Sequence, residues 1–435
     1  MIHGYSDWGS SFEHWRQALI ARGYDANSIH IANYRSLTNE VSIRDLAEGF
    51  DRALRIRAGL GPDASFDAIV HSTGMLVVRA WLAAYAGRRS RLKRLIGLAP
   101  ATFGSPMAHK GRSWLGAIFK GNREWGPDFL EAGDLVLDGL ELGSQFTWDL
   151  AGQDMIGEKP AFGPLADTPY VFIFAGTESY GGIAKLVKEP GADGVVRWAA
   201  CPLNTRKISM DLTKEPSQER ATLAPWSNVD IPLTLVKGKN HTTILTEPAP
   251  GLVDLIDQAL QVNSAAGYDQ WLNSARAFSQ VAADGVDKWQ QFVMHVVDER
   301  GDPIPDFHIQ LMTREPEGDL VELEGFDLDV HAYKTDPSFR CFHVNLTRLE
   351  AQKPENLWMR LIASSGTELV GYAGYGSQPA AKGVAEVDTA AQIELTDLLH
   401  DSQTKFFYPF TTTLVEIRLN REPLPLGGEN KVCKF

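Results

Sequence analysis

The chain has 435 residues, 44% hydrophobic and 22% charged, which is the composition of an ordinary globular protein with room for two domains. Its 42 Lys and Arg against 55 Asp and Glu leave a net charge of −13, which argues against the basic footprint of a general nucleic-acid binder. No run approaches the roughly 18 apolar residues of a membrane span, and Met1-Ile2-His3-Gly4 shows neither the basic n-region nor the apolar h-region of a signal peptide. A cytoplasmic or cell-associated protein is expected.

In chain order, Ile29 to Tyr34 reads as a strand, and residues 41–58 as a helix with Val41, Ile43, Leu46, Phe50 and Leu54 on one face. Phe66 to His71 is a strand, Met75 to Tyr85 a helix and Leu95 to Ala99 a strand. Tyr170 to Ala175 and Ile231 to Val236 continue the series, and a helix over Leu252 to Val262 closes it. Such alternation predicts an α/β domain over residues 1–262, with a mostly parallel sheet covered on both faces. Residues 263–288 read as a helical connector. From 289 to 435 short strands recur between turns such as Arg300-Gly301-Asp302-Pro303, predicting a C-terminal all-β, sandwich-like domain.

Val70-His71-Ser72-Thr73-Gly74 falls where a strand meets a helix. A serine on that sharp turn is thrust out at the carboxyl edge of the sheet. The helix behind it offers the Thr73 N–H to a developing oxyanion, and Gly74 lets helix and strand approach closely. Val70 stands where the usual pattern has glycine, and it fits only if the neighbouring element leaves room. His3-Gly4-Tyr5-Ser6 lies upstream, where α/β-hydrolases place an oxyanion loop, and the Tyr5 N–H would be the second donor. The chain begins at this motif, so the sheet is expected to be an edge or two short.

Asp193 follows the strand at 170–175, and His241 follows the strand at 231–236. Ser72, Asp193 and His241 thus occur in the Ser…Asp…His order of the α/β-hydrolase fold: a nucleophile, an acid that orients the imidazole, and a base that shuttles the proton. Asp167 and Glu178 are rival acids of lower rank, and His71 reads as a packing or hydrogen-bonding residue. Cys201, Cys341 and Cys433 form neither a disulfide framework nor a CxxC zinc site. No GxGxxG, P-loop or metal-ligand spacing occurs, so no cofactor or metal is expected.

Arg88 to Arg123 holds nine Lys and Arg residues and no Asp or Glu, with Trp114, Leu115, Ile118 and Phe119 interleaved. This pattern suits contact with anionic lipid, and equally a solvated helix end followed by core positions. Phe129, Leu130, Leu135, Leu137, Leu140 and Leu142 would serve either as a lid over an acyl pocket or as scaffold helices. The aromatic run Phe406-Phe407-Tyr408-Pro409-Phe410 could dock, form an oligomer interface or touch membrane, although burial in a core is the commonest fate of such residues.

The motif Val70-His71-Ser72-Thr73-Gly74, its spacing to Asp193-Gly194 and Asn240-His241, and the long C-terminal extension together resemble the PlaB-type bacterial lipases. Their nucleophile motif reads Thr-His-Ser-Thr-Gly. The resemblance carries Ser72, Asp193 and His241 over as nucleophile, acid and base. It implies phospholipase A and lysophospholipase activity, a homo-oligomer, and peripheral association with a membrane, the outer membrane in that family. The alternatives are a neutral-lipid or thioester hydrolase of the same fold, or a retired hydrolase acting as a binding module.

Overall fold

The computed structural model describes all residues except 5–8, 35–39, 110–133, 158–159, 164–166, 181–188, 218–219, 225–230, 317, 327, 353, 368, 376–388, 401–405, 425–431 and 433–435. The chain divides into two compact units, Met1–Thr205 with Trp226–Val286, and Arg206–Pro225 with Asp287–Phe435. No described helix is long and apolar enough to cross a membrane.

The first unit is built on a four-stranded, all-parallel sheet. Its strands β1 (Phe66–His71), β2 (Leu92–Leu98) and β3 (Tyr170–Gly176) lie side by side. Strands β4 (Arg206–Asp211) and β5 (Ala221–Leu223) belong to the second unit, and β6 (Leu233–Val236) returns to pair with β3. β1 to β3 are buried over their last four to six residues, because helices cover both faces.

On one face, α1 (Glu13–Ala21) contributes Trp15 and Leu19 to a core with Phe172 and Phe174. On the other, α2 (Ile43–Ile56) and α3 (Gly74–Ala84) bring Phe50 and Trp81 edge-on to each other and to Phe66. α2 starts where the pattern requires it. The Ser42 hydroxyl accepts the Asp45 N–H, and the Asp45 carboxylate accepts the Ser42 N–H, a reciprocal cap that satisfies two orphan donors. Further helices are α4 (Gln145–Asp154), α5 (Pro250–Gln261) and α6 (Ala265–Ala283).

α6 is part of the first unit rather than a connector. It buries Tyr268, Trp271 and Leu272 in the same core as Phe172 and Phe174, and the Ser279 hydroxyl accepts the Leu235 N–H of edge strand β6. The sheet also extends beyond β1 by isolated parallel bridges, Ile2 to Val70 and Ile2 to Ala32. The strand expected at 29–34 is therefore a single bridge, since its partner Ile2 is itself one residue in register.

The second unit has a seven-stranded sheet and a four-stranded sheet. The larger runs β10 (Val330–Ala332), β11 (Phe339–Asn345), β7 (Trp289–Asp298), β15 (Thr412–Pro423), β4, β5, with β13 (Val370–Ala373) also paired to β15. The smaller runs β14 (Thr389–Glu394), β12 (Trp358–Ser364), β8 (Asp306–Arg314), β9 (Leu320–Glu322). Alternate residues of both sheets, among them Met294, Ile309, Leu361 and Ile417, meet in one core, the signature of strands with one buried face. Phe406 is buried there and stacks on Phe292 at 4.9 Å. Residues 206–225, assigned by sequence order to the first domain, join this unit because β4 pairs in parallel with β15. Pairing over some 200 residues leaves no trace in local periodicity.

Candidate active site

Ser72 occupies the turn between β1 and α3 with φ of 53°, a left-handed conformation that costs a non-glycine residue about 1–3 kcal/mol. Its surroundings hold it there. The Ser72 N–H donates to the Leu98 carbonyl at 3.2 Å, and the Ser72 carbonyl accepts the Ala101 N–H at 3.0 Å.

Two close approaches explain the glycines around it. A Cβ on Gly74 would lie 2.7 Å from the Ile2 carbonyl oxygen, and one on Gly4 would lie 2.9 Å from the Ser72 Cβ. Val70 is fully buried, and its partner in register on β2 is Gly97. Met75, Pro100 and Ile173 fill the space above that glycine. Among the described residues nothing accepts the Thr73 N–H, one of the orphan donors at the start of α3. Tyr5 lies outside the described residues.

Asp193 and His241, 48 residues apart, are joined by a hydrogen bond of 2.9 Å from His241 Nδ1 to Asp193 Oδ2, and both side chains are fully buried. The other carboxylate oxygen accepts the Val195 and Val196 N–H groups at 3.1 and 2.8 Å. The His241 N–H donates to the Asp193 carbonyl at 3.0 Å. These bonds fix the imidazole with its proton on Nδ1 and leave Nε2 as the basic nitrogen.

The rival acids do not take part in this arrangement. Asp167 and Glu178 are exposed, and among the described residues Glu178 meets the loop of His241 through its N–H, which donates to the Lys239 carbonyl. That loop comes close to the sheet because β3 ends in glycine; a Cβ on Gly176 would fall 2.0 Å from the Lys239 oxygen.

His71 links the two halves of the site. Its Nε2 lies 2.9 Å from the His241 carbonyl oxygen, and the two rings are 4.7 Å apart. Burial, then the neighbouring His241, keep the His71 ring neutral well below the usual histidine range. His3 is clamped as well: its Nε2 accepts the Tyr34 N–H, its Nδ1–H donates to the Gly4 carbonyl at 2.8 Å, and the rings of His3 and Tyr34 stack at 4.2 Å.

Several supporting residues were not singled out from sequence. Tyr180 donates or accepts at the Thr242 hydroxyl at 2.6 Å and covers Gly194, whose φ of 101° and closeness to the Tyr180 ring exclude a side chain. Arg79 and Asp154 form a buried bidentate pair at 2.7 and 3.0 Å, and Arg79 Nη1 also donates to the Thr102 carbonyl. Thr102 and Ser105 in turn donate to the Cys201 and Val195 carbonyls, tying the loop after β2 to the loop of Asp193. Burial and the Asp193 carboxylate push the Cys201 thiol up, so it stays protonated. The signal for Arg79 was readable, since a lone cation in the apolar Gly74–Ala84 helix must find a buried partner.

The described arginines of the basic stretch are engaged within the first unit, while Lys93 is exposed. Arg88 pairs with Asp51, Arg89 donates to the Leu82 carbonyl, Arg91 to those of Gly61 and Ala64, and Arg94 to Val262 and Asp67. Lys110, Arg112, Trp114, Leu115, Ile118, Phe119, Lys120 and Arg123 lie outside the described residues, as do Phe129 and Leu130. Leu137, Leu140 and Leu142 are buried, as scaffold positions are, whereas Leu135 is exposed.

No protein-family model and no curated protein matches the chain. Among solved structures, phospholipase PlaB from Legionella pneumophila in complex with thio-NAD matches all of this chain and 95% of its own length, with 22% identity and a TM-score of 0.79. A second structure of the same phospholipase matches 97% of this chain and 93% of its own, with 23% identity and a TM-score of 0.77. The likeness is one of fold, and it extends over both units.

Proposed function

We propose that this chain is a serine-dependent carboxylic-ester hydrolase of the PlaB type, acting on phospholipids and lysophospholipids. The observation that carries the reading is the buried Asp193–His241 pair, joined through His71 to the strained turn that holds Ser72. A solvated turn aspartate or a bland loop histidine would have no reason to be buried and bonded in this way.

In the proposed reaction, Ser72 Oγ attacks the acyl carbonyl while His241 Nε2 takes its proton. Asp193 holds Nδ1–H and stabilises the imidazolium. The Thr73 N–H, at the start of α3, donates to the oxyanion, with Tyr5 as the second backbone donor. The tetrahedral intermediate then collapses: the ester C–O bond breaks, and the alcohol leaves with the proton from His241. Water, deprotonated by the same nitrogen, releases the fatty acid and regenerates Ser72. A homo-oligomer and peripheral contact with lipid belong to the same reading.

The test is covalent labelling with a fluorophosphonate followed by peptide mapping. Modification of Ser72, lost in His241→Ala, is expected; an unlabelled chain or a label on another residue contradicts the reading.

A second expectation concerns Gly4. Gly4→Ala places a methyl group 2.9 Å from the Ser72 Cβ and 3.2 Å from His71 Nδ1, so the loop must shift by a fraction of an ångström to about one. Displacement on that scale costs roughly 10²-fold in rate. Turnover of a soluble ester is expected to fall by about that factor, with the melting temperature little changed. Full activity in Gly4→Ala would show that the loop takes no part.

A further inference from the structure

The geometry points to His71 as a positioning residue: we infer that its Nε2–H, bonded to the main-chain carbonyl of His241, sets the placement of the ring that serves Ser72. The inference rests on the serine-hydrolase reading above. His241 stands on the loop after β6, and Asp193 holds it at two atoms, its N–H and its Nδ1. Both contacts come from the loop of Asp193, which Ser105 ties to the loop after β2, and neither is made by the turn that carries Ser72. The bond from His71 at 2.9 Å is different. It comes from the residue preceding Ser72 in the chain, and so refers the base to the turn that carries the nucleophile.

The chemistry of the bond is fixed by its acceptor. A carbonyl oxygen only accepts, so His71 Nε2 carries the hydrogen. His71 is fully buried, with His241 and His3 as the titratable groups whose charge opposes its protonation. The ring is therefore neutral and Nδ1 bears no proton. That nitrogen is buried and has no hydrogen-bond partner among the described residues.

For packing alone, an apolar side chain of similar volume would fill the site without stranding a polar atom. Among the described residues the imidazole makes one polar bond, and that bond goes to His241. Its neutrality matters too, because His241 becomes an imidazolium during acyl transfer with the His71 ring only 4.7 Å away, where a second cation would oppose it.

The experiment compares the full chain with His71→Leu and His71→Gln on a soluble p-nitrophenyl ester, with Ser72→Ala and His241→Ala as controls. Leucine keeps the bulk without the donor, while glutamine supplies a neutral N–H. His71→Leu is expected to lower kcat by about 10- to 100-fold with KM little changed. His71→Gln is expected to recover most of that loss, and the low-field proton resonance of His241 Nδ1–H to shift or broaden in the leucine variant only. Melting temperatures show whether each variant is folded. If His71→Leu does not fold, His71→Asn, whose shorter amide does not reach the carbonyl, is compared with His71→Gln instead. Wild-type kcat in the variant lacking the donor, or equal loss in the donor and donor-free variants, overturns the inference. Activity surviving in both Ser72→Ala and His241→Ala overturns the assignment of Ser72 and His241 as nucleophile and base.

Discussion

Ser72→Ala is expected to lower kcat/KM for ester hydrolysis by about 10⁶-fold, the loss seen when one member of a cooperating triad is removed. Asp193→Asn is expected to cost about 10⁴-fold. The second figure follows from the bonds at the site. Asp193 Oδ2 faces His241 Nδ1 at 2.9 Å, while Oδ1 accepts two backbone N–H groups. An asparagine that keeps its oxygen on those N–H groups must turn its NH₂ toward Nδ1. Nδ1 then becomes the acceptor, and the proton moves to Nε2, the nitrogen that has to serve as base. The fold should tolerate the change, because volume and the loop's own bonds are retained, so a melt close to wild type should accompany the loss of rate. Steady-state kinetics on a soluble ester check both values. Activity within tenfold of wild type in either variant would remove that residue from the mechanism.

Asp154→Ala is expected to destabilise the first unit by about 3–5 kcal/mol, the cost of leaving a buried charge without its partner. Both side chains are fully inaccessible to solvent. Among the described residues, the Arg79 guanidinium would keep the Thr102 carbonyl and its position 5.6 Å from the centre of the Phe103 ring. The damage should also reach the site, since Thr102 ties Arg79 to the loop that carries Asp193. Replacing both partners, Arg79→Met with Asp154→Leu, is expected to restore most of the stability, because no charge is then buried. Denaturant melts of the two single variants and the double decide this. A single variant as stable as wild type, or a double variant no better than Asp154→Ala, would contradict it.

The first unit was legible where each signal was local. β1 and β3 are apolar runs buried on both faces, and the turn after β1 carries a serine between a strand and a helix. Ser72, Asp193 and His241 stand in an order and at strand ends that sequence alone reveals. The hydrogen bond between Asp193 and His241, and the exposure of Asp167 and Glu178, needed coordinates, since all three carboxylates flank the same strand. Residues 206–225 could not be assigned from pattern, because β4 reads as any short strand and only its pairing with β15 places it in the second unit. For the arginines at 88–94 the sequence leaves a lipid-facing patch and a solvated helix end equally open, because composition does not show which carbonyls a guanidinium meets. In the structure they bind Asp51, Asp67 and main-chain oxygens.

The most direct measurement of the central claim is fatty-acid release from vesicles of phosphatidylglycerol, phosphatidylcholine and lysophosphatidylcholine, by the wild-type chain and by Ser72→Ala side by side. The expected result is release from phospholipid and lysophospholipid by the wild type and none above background by the variant. Equal release by both would contradict the serine mechanism. No release from any of the three by a chain whose Ser72 still takes a fluorophosphonate would contradict the lipid substrate.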